Sequence, residues 1–145
     1  MNNMGGYISV ELLFPDEVSV FEVNGWRVTL TRVGTPGRML PLRDEGAELT
    51  ATPLSSGDGT SWNHGARIQL RSDLVTKQLD EELQTLHRRG CVLVGTTTNG
   101  KVKVFGSKEY PLLGTYHEED AARRAGLHYH ELDLSCICLH PALLV

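Results

Sequence analysis

The stretch Cys91 to Gly106 constrains this chain most, because β-branched and apolar residues run on either side of Asn99-Gly100. Asn-Gly accepts the positive φ that a tight type I′ turn needs, so the stretch reads as a β-hairpin. It also holds Gly95-x4-Gly100-Lys101, the skeleton of a phosphate-binding loop. That second reading fails twice. Val102 stands where such a loop needs Ser or Thr for magnesium, and Lys103-Val104-Phe105 alternates as a strand where a helix must start.

A two-residue turn at Asn99-Gly100 sets Thr98 opposite Lys101, Thr97 opposite Val102 and Gly95 opposite Val104. Leu93, Val102 and Val104 then share a buried face. Thr96, Thr98, Lys101 and Lys103 share the other, which turns apolar at Val94 and Phe105. A second pair, Asn24-Gly25, predicts another hairpin from about Val18 to Val33. There Val23 faces Trp26, Phe21 faces Val28 and Ser19 faces Leu30, while Glu22 faces Arg27 on the opposite side.

Elsewhere, Tyr7 to Phe14 reads as a strand with Ile8, Val10, Leu12 and Phe14 on one side, ended by Pro15-Asp16. Arg38 to Gly46 reads as a loop, Ala47 to Thr52 as a short strand, and Leu54 to Gly65 as a long surface loop rich in Ser and Gly. Ala66 to Arg71 alternates, with Ile68 and Leu70 inward. One helix follows, capped by Ser72 or Asp73. It is apolar at Val75, Leu79, Leu83 and Leu86, basic at its end, and closed by Gly90. Ser107 to Pro111 reads as a turn or loop, Glu118 to Ala125 as a short helical turn, and His130 to Leu139 as a last strand.

The expected fold class is therefore α+β, in one domain over residues 1–145. It is mainly antiparallel β, barrel- or sandwich-like, with two Asn-Gly hairpins and one main amphipathic helix. The 145 residues suffice for a core, and 40% hydrophobic with 22% charged residues excludes a disordered chain. No apolar run approaches the roughly 20 residues of a membrane helix, and the start lacks a basic, apolar leader pattern. A net charge of −4 without a basic stripe speaks against nucleic acid as partner. Three cysteines, an odd number, fit a reducing compartment better than a disulfide framework.

Candidate chemistry concentrates near the C-terminus, in His128, His130, Cys136, Cys138 and His140. Thiolates and imidazoles are the ligands of zinc. In a strand, Cys136, Cys138 and His140 point one way, but Leu132 and Leu134 point the same way, which marks a core face. Ligands at i and i+2 also lie roughly 6.5 Å apart along a strand. The expectation is core packing, with no metal and no cofactor, and the five residues stand as the alternative ligand set. His64 reads as a loop histidine, since no nucleophile elbow or Cys-His signature accompanies it. Trp62 and His64, in the expected loop, are the candidate interaction residues. Glu118-Glu119-Asp120 near Arg123-Arg124 reads as a solvated charged face.

From Gly100-Lys101 through Gly106-Ser107-Lys108-Glu109-Tyr110-Pro111-Leu112 to the apolar end His140-Pro141-Ala142-Leu143-Leu144, the chain resembles small phage and prophage structural proteins of Bacteroidetes-type mobile elements. The resemblance covers about residues 66–145. It implies a tail or head–tail component, non-enzymatic, acting through contacts with other virion or assembly proteins and as a homo-oligomer. Its place would be the bacterial cytoplasm or the virion. Two alternatives stand beside it: a zinc protein using the His/Cys cluster, and a small-ligand-binding β-barrel.

Overall fold

The computed structural model describes residues 6–34, 37–56, 59–120 and 128–145. The expected class holds: antiparallel β structure dominates, beside a short broken helix. One sheet is built from β1 (Tyr7–Leu13), β2 (Val18–Asn24), β3 (Arg27–Arg32), β4 (Arg38–Met39), β7 (Val92–Thr97), β8 (Val102–Phe105) and β11 (Leu143–Leu144), in the order β2-β3-β11-β8-β7-β1-β4. The other holds β5 (Leu42–Ser56), β6 (Gly59–Arg71), β9 (Leu113–Asp120) and β10 (His128–Cys138), in the order β5-β6-β10-β9. Among the described residues every strand pairing is antiparallel except β11 with β3. Both sheets are open, so neither forms a closed barrel.

The large sheet curls, and chain length shows why. Leu13 ends β1 and Val18 begins β2, five residue steps later. Those steps span at most about 18 Å. In a flat sheet the same strands would stand five spacings apart, about 24 Å. Curling brings Arg32 at the end of β3 onto Glu11 of β1 in a bidentate pair, at 2.8 and 2.6 Å. It also encloses a small cluster of Leu13, Val18, Val28, Val92, Val94, Val104 and Leu143 on one face. The other face packs on the second sheet through the main core, where Val10, Leu12, Phe14, Leu93 and Phe105 meet Ile68, Leu70, Leu132 and Leu134. Gly95 lies where they meet; a Cβ there would stand 2.7 Å from the Tyr7 ring and 2.9 Å from Leu49.

Both hairpins form, with different turns from those expected. In the second, Thr98-Asn99-Gly100 make a three-residue loop: the Thr97 N–H donates to the Lys101 carbonyl at 2.8 Å, and Gly100 has φ +87°. The single left-handed glycine after a turn is the bulge-type alternative to a two-residue loop. The Thr97 hydroxyl supports it by accepting from the Lys101 N–H at 3.0 Å. The register moves by one, so Val94 faces Val104 and Leu93 faces Phe105. Val102 and Val104 are packed inside as expected, but with Val94 rather than Leu93. Sequence alone misjudged this because both faces of β7 are buried, and alternation cannot choose between two apolar faces.

In the first hairpin the turn is Gly25-Trp26, with Asn24 facing Arg27 and Val23 facing Val28. Partners change, but the face shared by Phe21, Val23, Val28 and Leu30 survives. Trp26 is left at the tip, 66% exposed. Ile8 is expelled to the surface by a bulge between Tyr7 and Ser9, while Val10 and Leu12 stay in the core.

The segment Leu54 to Gly65 is not a loop. It forms the distal half of a long hairpin in which Leu54 faces Ser61, Thr52 faces Asn63 and Ala51 faces His64. Pro53 is tolerated because β5 is an edge strand. Residues 57 and 58, at its tip, lie outside the described residues. The expected loop from Arg38 to Gly46 contains β4 and the start of β5, with an irregularity between Leu42 and Ala47.

The helix is capped by Thr76, whose hydroxyl accepts from the Leu79 N–H at 3.1 Å, rather than by Ser72 or Asp73, which lie in a 3-10 turn. It runs as α1 (Lys77–Leu83) and α2 (Leu86–Arg89). It breaks where the Thr85 hydroxyl donates to the Glu82 carbonyl at 2.6 Å, a back-bond that bends helices. Leu83 and Leu86 are fully buried, and Gly90 ends the helix. Glu118 to Asp120 end β9 instead of starting a helical turn. The rest of that expectation, with Arg123 and Arg124, lies outside the described residues. No helix among the described residues is long and apolar enough to cross a membrane.

Candidate functional site: a thiol–imidazole cluster

Strand pairing creates the site. β6 and β10 run antiparallel with Ala66 facing Leu134, His64 facing Cys136 and Trp62 facing Cys138. The alternation that buries Ile68, Leu70 and Ala66 continues to His64, which is fully buried. That continuation was readable in the sequence; the Gly-Ser-rich stretch before it hid it. On β10 the inward parity of Leu132 and Leu134 continues through Cys136, half-buried, and Cys138, 1% exposed. The expected core face is correct, and the histidine across the strand is the residue that sequence reasoning misplaced.

Cys136 Sγ and Cys138 Sγ lie 3.5 Å apart. The strand separates their backbones, but the side chains lean together, so the spacing argument against a shared ion does not hold. A ring nitrogen of His64 and both sulfurs all lie within 4.8 Å of one another. All three cysteines are free. Cys91 is fully buried, and burial pushes its thiol up, which leaves it inert.

The His64 tautomer follows from its partners. Its Nδ1 accepts from the Gly106 N–H at 2.9 Å, and its Nε2 contacts the His140 carbonyl oxygen at 2.8 Å. A carbonyl only accepts, so the proton sits on Nε2 and the lone pair on Nδ1. Burial lowers the His64 pKa, keeping the ring neutral; the His140 carbonyl bond opposes this only in part. The ring also packs edge-on against Phe105, with centroids 6.0 Å apart.

The two thiols share a hydrogen bond in which either sulfur can donate. Their mutual hydrogen bond, then burial, push Cys136 up. Cys138 is pulled down by the bond from Cys136, against its own burial, and by the Ser107 hydroxyl.

The remaining expected residues divide. His140 belongs to the cluster's rim, its ring 5.8 Å from that of His64. His130 lies elsewhere, in a cavity of about 580 Å³ between α1 and β9. There it stacks on Tyr116 at 5.6 Å and bonds the Ser72 hydroxyl at 2.9 Å, while the Tyr116 hydroxyl donates to Asp80 at 2.6 Å. The His128 side chain lies outside the described residues. Trp62 is a half-buried strand residue, not a loop anchor. The space between the sheets is filled by side chains of the main core, which removes the support for a ligand-holding barrel.

No family model, no curated protein and no solved structure matches this chain.

Proposed function

We propose that this protein binds a soft d-block cation, zinc first among them, through Cys136, Cys138 and His64. One observation carries the reading: two sulfurs 3.5 Å apart and a histidine nitrogen converge within 4.8 Å. Two thiolates on a tetrahedral zinc stand about 3.8 Å apart, so the pair needs little adjustment. His64 would ligate through Nδ1, and its Nε2–H bond to a backbone carbonyl is the outer-shell support that ligating histidines use. Binding displaces the Gly106 N–H from Nδ1, a cost of about 1–3 kcal/mol. A structural zinc contributes on the order of 10 kcal/mol, so the exchange favours the ion. The ion would tie β6 to β10, a structural rather than catalytic role.

Elemental analysis of protein prepared without a polyhistidine tag tests this. One equivalent of zinc, lost in a Cys136→Ser, Cys138→Ser variant, is the expected result. Protein that is metal-free as isolated and takes up neither zinc nor cobalt(II) at micromolar concentration would overturn it.

A second reading is the non-enzymatic assembly protein, with a further copy of this chain as first partner. Both sheets end in open edges, and edge strands are templates for pairing. Trp26, at 66%, and Leu139, at 75% exposed, offer apolar contact nearby. Light scattering after size exclusion tests it: a monomer at all concentrations removes it. A virion origin rests on the resemblance alone, and portal or tail-tube genes beside this one would support it.

A further inference from the structure

We infer that His140 is the fourth ligand of the cluster, completing a closed Cys2His2 site with His64, Cys136 and Cys138. This rests on the soft-metal reading and adds the residue that decides the coordination number.

Three observations point to it. First, His140 stands two residues past Cys138, where β10 ends; its nitrogens fall outside the 4.8 Å group of His64, Cys136 and Cys138, but its ring centroid is 5.8 Å from that of His64 with the planes at 71°, so a ring turn brings it in. Two imidazoles on one tetrahedral ion have centroids roughly 5 Å apart, from a Zn–N bond of about 2.0 Å. Second, the His140 Nδ1 contacts the Pro141 carbonyl at 3.0 Å. The carbonyl accepts, so Nδ1 carries the proton and the lone pair is on Nε2. No hydrogen bond engages that nitrogen among the described residues. A ring whose Nδ1–H is held by a backbone carbonyl is in the tautomer that ligates through Nε2. Third, His140 is half-buried and lines a groove of about 210 Å³ with Ser107 and Tyr110. Ser107 and Tyr110 both bond Cys138, so the wall of the groove adjoins that buried sulfur.

Residue 140 then acts twice. Its carbonyl orients His64, and its ring closes the site. A closed four-ligand site selects zinc in tetrahedral geometry and leaves no position for substrate, which fits a structural ion.

The test is cobalt(II) titration of wild type and His140→Ala, with folding checked by circular dichroism. Thiolate-to-cobalt charge-transfer bands report the two cysteines, and the intensity of the ligand-field bands reports a tetrahedral fourth ligand. The wild type should show both. His140→Ala should keep the charge-transfer bands, lose ligand-field intensity and bind more than about 100-fold more weakly, beyond the loss expected from an outer-shell partner. Unchanged ligand-field bands and affinity in the variant would overturn the assignment of His140 while leaving the thiolate site standing. Absence of charge-transfer bands in wild type would overturn both. Should the variant fail to fold, two-bond proton–nitrogen spectra of wild type with zinc decide directly. His140 Nε2 should shift on binding while its Nδ1 stays protonated; an unshifted Nε2 rules the ligand out.

Discussion

Replacing His64 by leucine in the metal-free protein isolates what the imidazole does for the fold itself. The ring satisfies two backbone groups at once, the Gly106 N–H and the His140 carbonyl. Leucine fills similar space and leaves both without partners. The Gly106 bond is buried, so its loss costs the full penalty for an orphaned donor, about 1–3 kcal/mol. The His140 carbonyl is partly accessible and recovers some hydration, so about 1 kcal/mol is assigned to it. The sum is about 2–4 kcal/mol. For a chain of this size that lowers Tm by roughly 6–15 °C. Thermal and urea melts with chelator present measure it, and His64→Gln, which can both donate and accept, should recover part of the loss. A His64→Leu protein within about 1 kcal/mol of wild type would refute the argument that these bonds hold the turn after β8 against β6.

Leu132→Ala, at a fully buried position between the sheets, should cost about 2–5 kcal/mol in urea unfolding. Thr76→Ala should remove about 1 kcal/mol and Asp73→Ala almost nothing, the reverse of what a cap at residue 73 requires. Gly100→Ala should cost about 1–2 kcal/mol, all of it backbone strain, since nothing lies within 4 Å of an added Cβ. Acid should destabilise the protein through Glu11. Burial alone would raise its carboxyl, but Arg32 and the Gly37 N–H outweigh it and hold the folded pKa below the usual value. A lowered folded pKa means stability that is present above the unfolded value, near 4.5, and lost as pH falls through the folded one. Glu11→Gln should flatten the stability–pH curve in that window.

Local chemistry made the elements legible. Alternation placed β1, β10 and the Ala66–Arg71 part of β6. Apolar spacing at Val75, Leu79, Leu83 and Leu86 marked the helix, and Asn-Gly pairs located both hairpins. Turn length was not legible. At Asn99-Gly100 the Thr97 hydroxyl and two-sided burial of β7 select a three-residue loop, and a one-residue change exchanges every cross-strand partner. At Asn24-Gly25 the turn moved by one position and the face survived, because moving the centre by a whole residue preserves parity. The Ser- and Gly-rich composition of Leu54 to Gly65 imitated a loop, yet pairing along the whole hairpin keeps it extended.

The sequence by itself determined that this is a mainly antiparallel β chain whose last long strand turns its cysteines inward, because period-two patterning is a local property. Only the tertiary structure decided that His64 stands across from Cys136 and bonds a carbonyl 76 residues away. Which strand lies beside which is chosen by the packing of two curled faces, and nothing within either segment encodes it. The site exists because strand order put soft donors from distant segments on one buried face.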